Sequence, residues 1–159
     1  MTGPTGKRWA VERVTVRLVL AGLVLWTPAR ASLGESRASV AVDHRALHGT
    51  ALTVSATQAY EVHEMTTADG GRIRQFVGPG GRVFAVTWSG RFQPDLQQLL
   101  AAHYAAYLAA ARAHQGGHHF LSVSTPQLVL DVVQLPRGFA GSAHLPALLP
   151  AGVKPEELR

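Results

Sequence analysis

Three histidines lie close together in the sequence, at His114, His118 and His119. Imidazole is a common metal ligand and a common acid or base near neutral pH, so such a cluster suggests a metal site or a proton-transfer site. Gly116 and Gly117 lie between His114 and His118, and glycine typically ends a helix, so a shared helical face is not expected. No cysteine, aspartate or glutamate lies between Arg112 and Asp131 to complete a ligand set. The pattern therefore favours a solvated helix end.

A second group of candidate residues surrounds a predicted amphipathic helix. His103 lies on the apolar stripe of this helix beside Tyr104 and Tyr107, and Trp88 and Phe92 precede the helix. A His–Tyr pair can transfer protons, although a histidine in this position more often forms a structural hydrogen bond. Grooves lined by aromatic side chains bind sugars, peptides or lipids. We therefore predict a binding groove at these five residues, with a plain hydrophobic core as the alternative.

No other pattern in the sequence points to catalysis or to a cofactor. The serines lie in no motif that activates a nucleophile, and the glycine-rich stretch 78–81 lacks the Lys-Ser/Thr ending of a phosphate-binding loop. Glu61, Glu64 and Asp95 have no spacing that would pair them as a hydrolytic acid and base. The chain has no cysteine, which excludes a disulfide, a thiol nucleophile and a cysteine-ligated metal. We predict no cofactor, no metal site and no catalytic residue.

The N-terminal residues follow the pattern of a secretory signal peptide. A basic segment comes first, with Lys7, Arg8, Arg13 and Arg17. An uninterrupted apolar run of nine residues follows at 18–26, and Ala29-Arg30-Ala31 supplies the small-x-small cleavage site. Nine apolar residues are too few to span a bilayer, which takes about 20. We therefore predict a signal peptide at 1–31 that is cleaved after Ala31, export to the periplasm or the medium, and no membrane span afterwards.

The charge of the whole chain differs from that of the predicted mature protein. With 15 basic and 10 acidic residues the formal net charge is +5, and the sequence pI is about 10.4, values that by themselves suggest an anionic partner. Residues 1–31 contain five of the basic residues and one of the acidic residues, so ten and nine remain and the net charge falls to +1. Because nucleic-acid binding depends on clustered cations, we expect no nucleic-acid partner.

The first half of the predicted mature chain consists of a segment with few large side chains, followed by three predicted strands. Residues 32–59 are rich in small side chains and contain no aromatic residue, which predicts a flexible lead-in with at most a short strand at 40–42. Strands are predicted at 60–67, 72–77 and 82–88. Glycine-rich turns at 68–71 and 78–81 join them, and such turns favour an antiparallel meander of three strands.

A long amphipathic helix follows this meander. Pro94 and Asp95 suit its first turn, and Gly116-Gly117 suits its end. The apolar positions between them form one stripe with helical periodicity: Leu96, Leu99, Leu100, His103, Tyr104, Tyr107, Leu108 and Ala111. Two or three further strands are predicted at 118–123, 128–135 and 139–145. These elements predict a single α+β domain at 60–159, with an antiparallel sheet and one helix packed on it.

The sequence also carries motifs of a known family. These motifs are GRVFAVTWSG at 81–90, PDL at 94–96, the paired leucines at 99–100, the hairpin from Tyr60 to the Asp69-Gly70 turn, and LP at 145–146 with LPAGV at 149–153. From about residue 33 to the C-terminus the chain resembles an uncharacterised exported-protein family of Gram-negative bacteria, domain of unknown function 2844. Residues 33–35 (LGE) depart from the Leu-Gly-Gly start of that family. The resemblance implies export and a single domain, and it implies no activity.

Taken together, these observations favour an exported accessory or binding module of the cell envelope that catalyses no reaction. Its partner would be an envelope protein or another envelope component. One alternative is a small envelope hydrolase or metal enzyme that uses His103 or the histidines at 114–119. Another alternative is a carrier of a small ligand in the aromatic groove.

Overall fold

Antiparallel strands form the centre of the structure, a computed structural model that describes residues 32–114 and 119–158. The strands in these residues are β1 (Gly49–Ala56), β2 (Glu61–Thr67), β3 (Arg72–Val77), β4 (Val83–Gly90), β5 (Phe120–Ser124), β6 (Val129–Leu135) and β7 (Gly138–His144). The α-helices are α1 (Ser39–Ala46), α2 (Leu96–Leu100) and α3 (Tyr104–Ala113), and a 3-10 turn at Ala101–His103 joins α2 to α3.

The strands form one sheet in the order β1-β2-β3-β4-β7-β6-β5, and all neighbours are antiparallel. The first four follow each other as a meander, and the chain then returns from the far edge so that β7 pairs with β4. Gly70 and Gly81 lie in the turns of the meander with φ of 81° and 68°, which glycine adopts without a Cβ clash. The predicted α+β class and antiparallel sheet are confirmed.

One face of the sheet packs against the helices. Side chains alternate between the two faces of a strand, and directly paired residues share a face. On the helix face, Trp88 of β4 lies opposite Ile73 of β3, and both side chains are buried. Leu99 and Leu100 of α2 have no exposed surface and close this core. Burial of each leucine stabilises the fold by about 1.5–3 kcal/mol before entropy is counted.

The predicted helix is confirmed as a helical segment over residues 96–113 that packs on the sheet. It begins after Asp95 rather than at Pro94, because the Asp95 carboxylate caps the helix by accepting a hydrogen bond from the Gln98 N–H at 3.1 Å. Ala101 has a φ of 47°, which interrupts the helix between α2 and α3. The predicted stripe is therefore buried in α2, whereas no residue of α3 is fully buried.

Residues 32–59 differ from the flexible lead-in that their composition predicts, because they form α1 and β1. Val40, expected in a short strand, lies in α1 and is buried. Backbone pairing with β2 holds β1, although most of its side chains are exposed. Polar contacts of Asp43, given below, hold α1. Neither contribution depends on large apolar side chains, so composition did not reveal them.

The C-terminal residues cover one end of the other sheet face. Tyr60, Phe76 and Phe84 form an aromatic cluster there, with ring centroids 5.7 to 6.2 Å apart, and Leu158 packs in the same cluster of buried residues. Two 3-10 turns, Pro146–Leu148 and Pro155–Glu157, shape this segment. The remainder of the face forms an open groove.

Candidate functional site

The open groove has a volume of about 800 Å³. Strands β3, β4, β6 and β7 form its floor, and Pro155, Glu156 and Leu158 border it. Short side chains such as Ala140 and Ser142 occupy the β7 positions of the floor. Because these side chains are small, they leave room above the sheet. The volume lies within the range of about 300–1,000 Å³ that is usual for ligand sites.

Polar side chains cross the floor of the groove in one continuous row. The strand register places these six residues opposite one another on neighbouring strands: Glu64, Arg74, Thr87, Ser142, Asp131 and Ser122. Since directly paired residues share a face, all six belong to the groove side of the sheet. Arg74 donates to Glu64 at 2.6 Å, and the Ser122 hydroxyl donates to Asp131 at 2.6 Å. We call this set the polar row.

The groove carries opposite charges at its two sides. Arg72 and Arg74 lie on the β3 side, where both pair with Glu64, at 3.4 Å and 2.6 Å. Asp131 lies on the β6 side, and Glu156 borders the groove close enough to His144 to affect its charge. Burial lowers the pKa of His144 in the groove, and Asp131 and Glu156 oppose this effect in part. The imidazole is therefore mainly uncharged at neutral pH, and the groove presents cations and anions at separate places.

Ser142, His144 and Asp131 are the residue types of a hydrolytic triad. A serine nucleophile needs a base within hydrogen-bond reach and a third group that orients the base. Among the hydrogen bonds of residues 32–114 and 119–158, none joins Ser142 to His144 or His144 to Asp131, and Asp131 instead accepts from Ser122. The arrangement offers hydrogen-bonding groups to a ligand rather than an activated nucleophile.

The residues of the polar row were not predicted from the sequence. The spacing of Ser142 and His144, two positions apart in a strand, does indicate that they share a face. Their proximity to Asp131 and Arg74 depends on the pairing of β7 with both β6 and β4. Pairing between strands that are far apart in the sequence leaves no local signal.

Two of the five predicted aromatic-groove residues, Trp88 and Phe92, line a cleft of about 230 Å³ next to the first turn of α2. Trp88 is 3% exposed and packs in the helix-side core, where its Nε1 has no hydrogen-bond acceptor among the described residues. Phe92 is 58% exposed, and the Arg91 guanidinium lies 5.5 Å from its ring centroid. The indole thus belongs to the core, and the phenyl ring belongs to the surface.

The other three predicted residues, His103, Tyr104 and Tyr107, lie where α2 meets α3. The two tyrosine rings stack with centroids 5.7 Å apart and pack, partly buried, against the same core as Trp88. Burial lowers the pKa of His103, which favours its uncharged form. The structure joins Trp88 and the tyrosines through the core and leaves Phe92 outside it. A groove common to all five residues stays a prediction.

Two of the three clustered histidines flank a stretch that the structure does not describe. His114 follows α3 and His119 precedes β5, whereas His118 lies outside the described residues. Within the described ranges, no group of three or more histidines and carboxylates is placed to hold a metal ion. The helices in the same ranges are too short or too polar for any of them to cross a bilayer.

A second polar cluster is buried beneath the helices. Asp43 of α1 has no exposed surface, and its carboxylate accepts hydrogen bonds from the Ser32 hydroxyl at 2.6 Å, from the Gln98 side-chain amide at 2.7 Å and from the Gln75 side-chain amide. Burial raises the pKa of Asp43, and these hydrogen bonds lower it in part. All three partners are uncharged. An aspartate is rarely buried so completely without a cation.

The fold and these two clusters define a small α+β protein with one covered sheet face, one open groove and a buried carboxylate. The chain belongs to a family of proteins of unknown function: the family model described as "Protein of unknown function (DUF2844)" matches residues 29–158. The matched range includes every described residue, and the resemblance to domain of unknown function 2844 is thereby confirmed. No curated protein and no solved structure matches the chain.

Proposed function

We propose that the protein is exported to the periplasm or the medium, loses residues 1–31, and binds a partner protein of the cell envelope without catalysing a reaction. The bound part is an extended segment of the partner, held in the groove over the polar row. The observation that carries this proposal is a groove of about 800 Å³ whose two sides bear opposite charges.

A polypeptide segment matches this groove better than other ligand classes do. An acidic side chain of the segment would meet Arg72 and Arg74, and a basic one would meet Asp131 and Glu156. The hydroxyls of Thr87 and Ser142 between them suit the N–H and C=O groups of an extended backbone, which are both donors and acceptors. Such a spread of charges favours one orientation of the bound segment.

Sugars and phosphates suit the groove less well. Trp88 is the one aromatic lining residue in the described part of the chain, and its indole is buried on the helix side, so no ring is available for stacking a sugar. A phosphate group carries up to two negative charges at neutral pH. Arg72 and Arg74 share the Glu64 carboxylate, so the three groups together carry a net charge of +1, which matches the single charge of an acidic side chain better than that of a phosphate.

The export part of the proposal is supported by the leader pattern and by the residues that follow the cleavage site. Leu33 is buried, and its N–H donates to the Leu99 carbonyl at 3.2 Å. Gly34 donates to Val83 at 2.8 Å, and Val83 donates back to Glu35 at 2.9 Å. The chain from Leu33 onward is thus part of the folded core, so cleavage after Ala31 would remove none of these contacts.

Compartment and processing are tested by fractionating a Gram-negative host that expresses the whole chain and by sequencing the N-terminus of the product. The expected product starts at Ser32 and lies in the periplasm or the medium. A protein that keeps Met1 and stays in the cytosol would contradict the export part of the proposal.

Partner binding is tested by placing a photo-crosslinking amino acid at Ser142, in the centre of the polar row, and at Ala109 on the exposed side of α3 as a control. We expect one envelope protein to be captured from Ser142 and not from Ala109. With that protein purified, Asp131→Lys should weaken its affinity about tenfold or more, whereas Ala109→Lys should leave it unchanged. Equal capture from both positions, or equal affinities of both variants, would rule out the groove as the binding site.

A further inference from the structure

Asp43 lies at the junction of four parts of the fold. It belongs to α1, and its carboxylate accepts hydrogen bonds from Gln75 of β3, Gln98 of α2 and Ser32 near the predicted cleavage site. No basic side chain in the described residues forms an ion pair with Asp43. Burial of a carboxylate without a cation is costly, so the cluster has the character of an incomplete charge pair.

Ser32 is the residue closest to this carboxylate at the start of the mature chain. Ser32 has no exposed surface, and its hydroxyl lies 2.6 Å from the Asp43 carboxylate. The backbone nitrogen of Ser32 is bonded to the Cα that carries this side chain, so it lies within about 6 Å of the same carboxylate. Opposite charges at about 4–6 Å strongly favour each other's charged forms.

The backbone of Ser32 provides a second, independent observation. Its φ is 142°, a value that L residues other than glycine rarely adopt. The angle φ is defined by the peptide bond that links residue 32 to residue 31. Hydrolysis of that bond removes the restriction, because a free N-terminal residue has no φ. The conformation of Ser32 is therefore strained in a continuous chain and unstrained in a processed one.

We infer that Asp43, Gln75 and Gln98 form a buried binding site for an ammonium group, and that its ligand is the α-ammonium group of Ser32. This inference rests on the proposed removal of residues 1–31. In that step a signal peptidase adds water across the bond between Ala31 and Ser32, which leaves a carboxylate on Ala31 and a protonated amine on Ser32. The new cation then pairs with the buried Asp43 carboxylate.

Processing would thereby complete the fold as well as release the protein. In the precursor, residue 32 carries an uncharged peptide N–H, and Asp43 lacks a cation. In the mature chain, the ammonium group compensates the carboxylate that joins α1 to β3 and α2. The docking of α1 on the sheet is then stronger after cleavage than before it. A weakly docked α1 would also suit a precursor that must remain unfolded during export.

The test compares three forms of the protein: the full-length chain, the chain that starts at Ser32, and the latter acetylated on its α-amine. Lys154 is the one lysine after residue 31, so Lys154→Arg in all forms confines acetylation to the N-terminus. The midpoint of urea unfolding is measured from pH 5 to pH 10. At pH 6 the chain that starts at Ser32 should have the highest midpoint. Asp43→Asn should remove its advantage over the acetylated form.

The pH dependence has a definite sign. Burial lowers the pKa of an α-amine from its ordinary value of about 8, and a neighbouring carboxylate raises it. If the amine pairs with Asp43 as inferred, the carboxylate outweighs burial, so the stabilisation is complete below pH 8 and is lost as pH rises through the raised pKa. Other titratable side chains on the surrounding elements are His44 and Arg45 on α1, Glu61 and His63 on β2, and Asp95 at α2. They are present in all three forms, so their effects cancel in the comparison.

An NMR titration gives a readout that does not depend on the Asp43 variant folding. The α-amine of the processed chain is labelled by reductive ¹³C-methylation, which keeps its charge, and its pKa should lie above 8. A pKa at or below 8, or equal midpoints for the free and acetylated forms, would overturn the inference. These measurements use purified protein, so they stand apart from the test of export: a cytosolic, unprocessed chain refutes the proposed function whatever the pKa of the amine is.

Discussion

Trp88 of β4 lies directly opposite Gly141 of β7, and the indole occupies the space that a side chain at Gly141 would need. A Cβ built on Gly141 would overlap Cζ2 of the indole and would lie 2.8 Å from the carbonyl oxygen of Asp131. The missing side chain therefore allows the largest side chain of β4 to lie flat on the neighbouring strand. This pair connects the two halves of the sheet, since β4 ends the meander and β7 belongs to the returning strands.

Gly141→Ala should destabilise the protein by about 1–3 kcal/mol, because the added methyl group forces the buried indole or the backbone of β6 to move. Gly80→Ala is the matched control: nothing lies within 4 Å of a Cβ at Gly80, and its φ is not positive. That control should change stability by no more than about 1 kcal/mol. Urea unfolding followed by tryptophan fluorescence measures both. Equal stabilities of the two variants would show that the indole does not need the space above Gly141.

The backbone conformation of Ala101 predicts that replacing this residue by glycine stabilises the protein. Its φ of 47° and ψ of −120° between α2 and α3 suit glycine, which has no Cβ to clash with the backbone. Ala101→Gly should therefore raise stability by about 1 kcal/mol. In a regular helix the same replacement has the opposite sign, so Ala109→Gly in α3 should lower stability by about 0.5–1 kcal/mol. Thermal unfolding of the two variants checks the difference in sign, and a loss of stability in both would show that the helix is continuous through Ala101.

The division of the helical segment also predicts where leucines contribute most. Leu100 of α2 has no exposed surface, whereas Leu52 of β1 is 42% exposed. Leu100→Ala should cost about 2–5 kcal/mol, because it removes buried contacts and leaves a cavity. Leu52→Ala should cost less than about 1 kcal/mol. The midpoints of urea unfolding of the two variants provide the measurement, and similar losses would contradict the placement of β1 at an exposed edge.

Local sequence patterns were sufficient to predict most secondary-structure elements, but they were insufficient to predict the polar clusters. The glycine turns and alternating side chains predicted β2, β3 and β4, and the apolar stripe predicted the helical segment at 96–113. The stripe did not reveal the break at Ala101, because alanine has no preference for a positive φ. The prediction of a flexible lead-in at residues 32–59 was wrong, because α1 and β1 are held by Asp43 and by backbone pairing rather than by large side chains.

Both polar clusters depend on contacts between residues that are distant in the sequence. Asp43 meets Gln75 and Gln98 across 32 and 55 residues, and Thr87 meets Ser142 across the pairing of β4 with β7. The aromatic residues were predicted as a groove from their residue type alone, because large aromatic side chains line many binding grooves as well as hydrophobic cores. The structure places Trp88 in the core, which is the plainer of the two interpretations that its position allowed.

The two half-buried histidines predict how stability changes in mild acid. Burial lowers the pKa of both His103 and His144 from an ordinary value near 6.5. A histidine with a lowered pKa in the folded state binds fewer protons there than in the unfolded state, so its contribution to stability is present above pH 6.5 and is lost as pH falls below that value. The protein should therefore lose stability between pH 6.5 and pH 5.

His103→Gln and His144→Gln should each reduce this loss, since glutamine does not titrate. His119 is exposed, so His119→Gln should have the same dependence of stability on pH as the parent protein. The measurement is the free energy of unfolding in urea at pH 5, 6 and 7.

His144 also allows the effect of burial to be separated from the effect of nearby charges, because burial lowers its pKa whereas Asp131 and Glu156 raise it. Asp131→Asn should therefore lower the pKa of His144 and reduce its protonation in the folded protein. A steeper dependence in His144→Gln than in the parent would contradict the burial of this side chain.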